Sequence, residues 1–240
     1  MHRRSVECLV NELRVAEAYG ARFLNVHVGS HRGEGPEAGI DQVADGIRTA
    51  FRLLHDDAPD VLLILENGSG GGFALGWSLE ELKAIDDAVL AAGVDRSRYG
   101  FCLDTAHLWG AGYAIDTIAG VDATIEAFRV LIGLDRLHMV HLNDSRSELG
   151  SRADRHEHVG AGRIGGAGLA RMATHPALGH VTYFLETPGM DDGYDAVNLD
   201  RLRDLVNGRA LATLPPAAFH TRSAKGRSAP AEDDEPVAPG

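Results

Sequence analysis

Five short apolar runs constrain this chain more than any other feature. They are FLNVHV from Phe23 to Val28, VLLILE from Val61 to Glu66, GFCLD from Gly100 to Asp104, HMVHL from His138 to Leu142, and TYFLE from Thr182 to Glu186. They are rich in Val, Ile, Leu and Phe and show little polar alternation, the mark of parallel strands covered on both faces. The longer stretches between them carry apolar residues at helical spacing. Ser5 reads as a helix cap before Val6, Leu9, Val10, Leu13 and Ala16, with Gly20 closing the helix. Ile40, Val43, Ile47, Phe51 and Leu54 form a second stripe. Ser78 with Glu81 reads as a capping box before Leu82, Ile85 and Val89. Further stripes are Ile118, Val121, Ile125, Phe128 and Ile132, then Val197, Leu199, Leu202, Leu205 and Val206. Strand–helix alternation of this kind predicts an α/β fold of repeated βαβ units around a parallel sheet.

The periodicity is lost after Asn207, and five of the nine prolines lie beyond it. The expected organisation is one domain over residues 1–207 and a disordered tail over 208–240, basic and then acidic. No apolar run is long enough to span a membrane, and Glu7, Asn11 and Glu12 interrupt any apolar core of signal-peptide type near the start. A cytoplasmic protein with no membrane partner is expected. Cys8 and Cys102 have no metal-type spacing and read as buried free thiols. The formal net charge of −12 speaks against a protein that coats nucleic acid through a basic surface. It leaves room for a nuclease whose acidic residues hold cations.

Each run has a residue able to hold a metal at or near its C-terminal end: His27, Glu66, Asp104, His141 and Glu186. In parallel α/β folds that edge of the sheet carries the active site. A carboxylate in an apolar strand costs several kcal/mol unless it is paired or bound to a cation, and no lysine or arginine stands at these strand ends. The adjoining segments add His107, in D-x-x-H with Asp104, and the pair Asp154 and His156. Eight candidate ligands, four carboxylates and four imidazoles, exceed the needs of one tetrahedral ion and imply a cluster of two or three. A set of His and carboxylate without cysteine suits Zn²⁺, with Mn²⁺ or Fe²⁺ as alternatives. His31 and His158 read as groups behind the ligands, and His2, His55, His175, His180 and His220 as surface or core residues. The glycine-rich stretches at Ser69 to Gly72 and Gly160 to Gly166 are weak signals for close approach of a phosphate.

The segment HLNDSRSELGSRADRHEHVGAGRIG, His141 to Gly165, resembles the core motif of the endonuclease IV family of metal-dependent apurinic/apyrimidinic endonucleases. CLDTAHLWGAGYAID, LNVHVGSH, LENGSG and LETP resemble further motifs of that family, so that the likeness covers roughly residues 3 to 206. It implies a TIM-type barrel and three zinc ions. His27 and Glu66 would serve the first ion. Glu66 would bridge to the second, held also by Asp104, His141 and Glu186. His107, Asp154 and His156 would hold the third. It further implies Glu66 as the catalytic residue, Arg155 as a contact to DNA phosphate, damaged duplex DNA as the partner and a monomer when complete. The implied reaction is attack of a zinc-activated hydroxide on the phosphodiester 5′ to an abasic site, as in base-excision repair.

Two departures from the family pattern stand out. Gly70 and Gly71 occupy the loop where the family has a glutamine. Met1 falls just before the helix that precedes the family's fourth strand. The resemblance therefore implies an incomplete (β/α)8 barrel without its first three βα units, ~80 residues of about 250, and a first zinc short of one histidine. An upstream start and a truncated, inactive product are the two explanations of that pattern. The alternative enzyme class is a sugar isomerase or epimerase of the related xylose isomerase-like barrels.

Overall fold

The computed structural model describes residues 2–55 and 60–220. Five parallel strands form a half-barrel in the order β1 (Phe23–His27), β2 (Leu62–Glu66), β3 (Tyr99–Asp104), β4 (Leu137–His141) and β7 (Thr182–Phe184). The helices α1 (His2–Ala18), α2 (Pro36–Leu54), α3 (Leu79–Ala91), α5 (Ile118–Leu131), α6 (Gly165–Ala173) and α7 (Tyr194–Val206) complete the βα alternation, and α4 (Thr105–Ala111) follows β3 directly. Among the described residues, no helix is long and apolar enough to cross a membrane.

One face of the sheet packs on helices through Leu63, Leu65, Phe101, Leu103 and Val140, which join Leu82, Ile85, Val121, Ile125 and Phe128 in the main core. Ile64, Cys102 and Met139, flanked by Phe23 and Leu62, line the opposite, inner face. Above them, on that same inner face, stand the ionisable residues. Register sets their heights. His27 is level with Glu66, Glu66 with Cys102, Asp104 with His141, and His141 with Phe184. The ligand row thus climbs two residues between β2 and β3, and two more from β4 to Glu186. Steps of two preserve the face, because side chains alternate with a period of two.

Between β3 and β4 the register slips by one: Phe101 pairs with Leu137, but Cys102 pairs with Met139. His138 is the extra residue of this bulge. Without it, Val140 would stand opposite Asp104 and His141 would miss that level.

Several sequence expectations are corrected. The first helix begins at His2 rather than after Ser5, although Val6, Val10 and Leu13 are buried and Gly20, at φ 70°, closes the turn after it as expected. Ser78 does cap α3, accepting from the Glu81 amide at 3.1 Å. Glu81, however, reaches back to the amides of Gly76 and Trp77 rather than to Ser78. Cys102 is buried, but Cys8 is exposed, because it lies off the stripe that α1 buries. Ile118 is exposed at the start of α5. On α7 the buried residues are Asn198 and Arg201, while Val197, Leu199 and Val206 are exposed.

Those two polar residues explain a further difference. Asn198 accepts from the Val159 amide at 3.0 Å, and its Nδ2 faces His158 Nδ1 at 2.9 Å. Arg201 donates to the carbonyls of Val159 and Ala212, both at 2.6 Å. The opposite ring nitrogen of His158 donates to the Ala218 carbonyl at 2.8 Å. Residues 208–220, expected to be disordered, therefore form a strap ending in a 3-10 turn (Pro216–His220) with Ala218 buried. Buried backbone carbonyls found donors on the domain, a pairing that apolar periodicity does not reveal. Residues 221–240 of the expected tail lie outside the described residues.

Candidate metal centre

All eight predicted side chains converge at the C-terminal edge of the sheet. Glu66, Asp104, His107 and His141 are buried, and His156 is half-buried. Glu66 Oε2 lies 3.4 Å from His27 Nε2, and Glu66 Oε1 lies 3.1 Å from His141 Nδ1. His141 Nδ1 is also 3.3 Å from Glu186 Oε2 and 3.8 Å from Asp104 Oδ2. Asp154 stands 3.3 Å from His107 Nε2 through Oδ2 and 3.1 Å from His156 Nε2 through Oδ1.

Ring hydrogen bonds decide which nitrogens are free. A carbonyl can only accept, so His107 Nδ1 donates its proton to the Asn67 carbonyl at 2.9 Å, leaving a lone pair on Nε2. His156 Nδ1 donates to the Glu186 carbonyl at 2.7 Å, leaving Nε2 free in the same way. His156 Nε2 is buried and has no hydrogen-bond partner. Although His107 Nδ1 also lies 3.4 Å from Glu66 Oε1, its proton is engaged, and His107 belongs with Asp154 and His156. The side chains fall into overlapping groups: His27, Glu66 and His107; Glu66, Asp104, His141 and Glu186; Asp104, His107 and His156; and Cys102 beside Glu66 and His141. Asp154 joins the third through its contacts with His107 and His156.

The donor set fits zinc. Ligand bonds of about 2.0–2.1 Å at tetrahedral angles place ligand atoms about 3.3–3.4 Å apart, and the closest imidazole–carboxylate separations run from 3.1 to 3.4 Å. The orphaned lone pair of His156 is aimed into the third group. Cys102 lies beside Glu66 and His141, and without a cation burial pushes its thiol up to about 11.

The electrostatics are those of mutual dependence. Burial pushes the Glu66 carboxyl upward, but three imidazoles hold it well below the ordinary carboxylate range. His107 and His156 hold Asp154 low as well, and His141 does the same for Glu186. Burial pulls the imidazoles down, yet the carboxylates raise His107 to about 11 and His156 to about 9, and Cys102 together with Glu186 and Glu66 raises His141 higher still. Four acids in one cleft need positive charge, and protons supply it where cations do not.

Local structure builds this arrangement. Asp104 caps α4 through Oδ1, accepting from the His107 amide at 2.9 Å, while its Oδ2 faces the site. The cap therefore aligns His107 as well. Asp154 sits in the excursion between β5 (Asp144–Ser145) and β6 (His156–Glu157), which pair antiparallel. That excursion is docked on the end of α4: the Trp109 indole donates to the Ser147 carbonyl, and the amides of Gly150 and Arg152 donate to Trp109 and Gly110.

Sequence reasoning missed the asparagines. Asn25 donates to Glu66 Oε2 at 2.5 Å. Asn67 accepts from the Asp104 amide at 2.7 Å. Asn143 donates to Asp104 Oδ2 at 2.6 Å and accepts from the Glu186 amide at 2.7 Å. An Asn within or directly after an apolar strand was the available signal, since a buried carboxamide needs partners. His31 and His158, expected behind the ligands, do other work. His31 Nδ1 accepts from the amides of Gly33 and Gly35, and His158 anchors the strap. The Gly160 to Gly166 loop does not offer its amides to a phosphate. Asp144 takes those of Gly162, Ile164 and Gly165. In the other glycine stretch, a Cβ on Gly71 would stand 2.8 Å from the Arg152 carbonyl, so the hairpin backbone occupies that place. Arg155, the predicted phosphate contact, is exposed beside Asp154 and His156.

A parallel αβ sheet with a His/carboxylate cluster at its C-terminal edge defines a class of metal-site barrel proteins, and the family described as xylose isomerase-like TIM barrel matches residues 1–208. Within that class the chain belongs to the endonuclease IV family. It is 42% identical over 206 residues to a probable endonuclease 4 of Solibacter usitatus, covering 86% of this chain and 70% of that protein. A probable endonuclease 4 of Methanoculleus marisnigri is 40% identical over 206 residues, with 86% and 71% covered. The crystal structure of endonuclease IV from Thermus thermophilus superposes with a TM-score of 0.70 at 34% identity, covering 86% of this chain and 69% of that one.

Proposed function

We propose that this chain is the cation-binding part of a DNA-repair endonuclease that hydrolyses the phosphodiester on the 5′ side of abasic sites in duplex DNA. The convergence of eight His and carboxylate side chains into overlapping groups at one edge of the sheet carries this reading. Family membership supplies the class of reaction. His27 and Glu66 would hold one zinc ion, Glu66, Asp104, His141 and Glu186 a second, and His107, Asp154 and His156 a third. Mn²⁺ is the alternative cation for such a donor set. Bound cations supply Lewis acidity, lowering the pKa of water and neutralising charge on the phosphodiester oxygens.

The residues of this chain have separable tasks. Glu66 has one oxygen toward His27 and the other toward His141, the orientation of a bridging carboxylate and the reason it is assigned the catalytic role. Arg155 would meet a DNA phosphate next to the third group. Three loops on this edge each expose one large apolar side chain, Phe73, Leu149 and Met190, at 56%, 43% and 59%. Apolar wedges of that kind enter a helix where stacking is already broken, as it is at a missing base. A sugar isomerase or epimerase reading needs no more than two ions and leaves His107, Asp154 and His156 without a task.

The deciding experiment incubates the zinc-loaded protein with a duplex bearing one abasic site and with the intact duplex. Nicking confined to the first, with a 3′-hydroxyl that a polymerase extends, is expected. No nicking, with zinc content verified by elemental analysis, overturns the proposal.

A further inference from the structure

Glu186 is the one member of the second group that the sheet does not position. Among the described residues the last strand, β7, ends at Phe184, pairs only with β4, and makes its last inter-strand contact where the Leu142 amide donates to the Phe184 carbonyl at 2.8 Å. Glu186 lies two residues further on, and its side chain is half exposed. Its backbone is held on two sides: its carbonyl accepts from His156 Nδ1 at 2.7 Å, and its amide donates to the carboxamide oxygen of Asn143 at 2.7 Å. The nitrogen of the same carboxamide donates to Asp104 Oδ2 at 2.6 Å. Asn143 is itself immobilised: fully buried, its amide donates to Thr105 Oγ1 at 2.8 Å, and that hydroxyl donates back to the Asn143 carbonyl at 2.6 Å. One carboxamide therefore joins the ends of β3, β4 and β7.

From this geometry we infer that Asn143 is the positioning residue of the second cation: it holds Asp104 and Glu186, from two different strands, at the spacing one ion requires. The inference rests on the metal-binding reading above. Its donor arm orients Oδ2 of Asp104, and its acceptor arm replaces the missing ladder bond at Glu186. The first group is independent of it, since Asn25 holds Glu66. The third is linked to it only at second hand, through Asp104 and through the Glu186 carbonyl that accepts from His156, while the Asn67 carbonyl holds the His107 ring. Loss of an orienting partner of a ligand typically weakens metal affinity about 10–100-fold.

The test compares the unaltered chain with Asn143→Ala and with the isosteric Asn143→Asp, which keeps an acceptor for Glu186 but sets an oxygen against Asp104. Zinc stoichiometry and chelator competition are read together with far-ultraviolet circular dichroism. Both variants should lose one ion about 10–100-fold more readily, with the others weakened less, and Co²⁺ substitution should show the loss chiefly as missing absorbance of one site. A folded variant with unchanged zinc number and affinity overturns the proposal, as does simultaneous loss of every ion. In the unaltered chain, the Asn143 carboxamide protons should exchange slowly and shift during zinc titration. If they do not, the proposal falls even where neither variant folds. An unaltered chain that binds no zinc would bring down the metal reading itself, which separates that failure from this one.

Discussion

Gly100 on β3 and His138 on β4 share one space: the imidazole stands where a Cβ on Gly100 would be. His138 is the bulged residue that brings His141 level with Asp104. A glycine at the second position of a buried strand thus makes room for the slip in register that completes the ligand row.

Gly100→Ala should therefore act on both stability and the site. The added methyl also meets the Arg136 carbonyl at 3.1 Å, so backbone as well as side chain must move. A loss of about 1–3 kcal/mol is expected, together with weaker zinc binding as His141 shifts. Denaturant unfolding and zinc titration measure the two effects; an unchanged midpoint and unchanged affinity would show that the His138 ring simply swings aside.

The charge balance of the cluster predicts a pH dependence that zinc should abolish. Imidazoles raised in the folded state stabilise it fully below their ordinary value of about 6.5. That contribution is lost as pH rises through about 9 for His156 and about 11 for His107. Glu66, Asp154 and Glu186 are depressed, so their contribution is present above the ordinary carboxylate range and is lost in acid. In chelator, the melting temperature should peak near pH 5–6 and fall towards pH 9. With zinc, the lone pairs are held by cations and the alkaline decline should vanish. Thermal melts across pH with and without chelator would refute this if both forms declined alike.

His158 should prove a fastener rather than a ligand. Its ring lies 5.1 Å from that of Tyr194 and 5.9 Å from that of Phe219, and it joins Asn198 to the Ala218 carbonyl. His158→Ala leaves the Ala218 carbonyl without its donor and removes one of the two partners of Asn198 Nδ2, which keeps its bond to the Tyr194 carbonyl; a loss of about 1–3 kcal/mol is expected. Limited proteolysis should then cut within residues 211–220 while zinc content stays at its original value. An unchanged digestion pattern would refute the fastening role.

The sequence by itself determined the parallel sheet and the identity of the convergent residues. Uninterrupted apolar runs have few uses outside a doubly covered sheet, and a carboxylate at the end of such a run needs a positive partner, so both signals are local. Only the tertiary structure decided the rest. Cys8 and Ser5 fit a local pattern that the real helix boundary and its buried stripe did not follow. Asn198 and Arg201 displaced the expected apolar face of α7 because they satisfy backbone groups of segments up to 42 residues distant. Asn143 gives no local sign that it joins Asp104, 39 residues before it, to Glu186, 43 residues after it. Hydrogen bonds across such separations form only once the sheet has set its register, and that register turns on the one-residue bulge at His138 opposite Gly100.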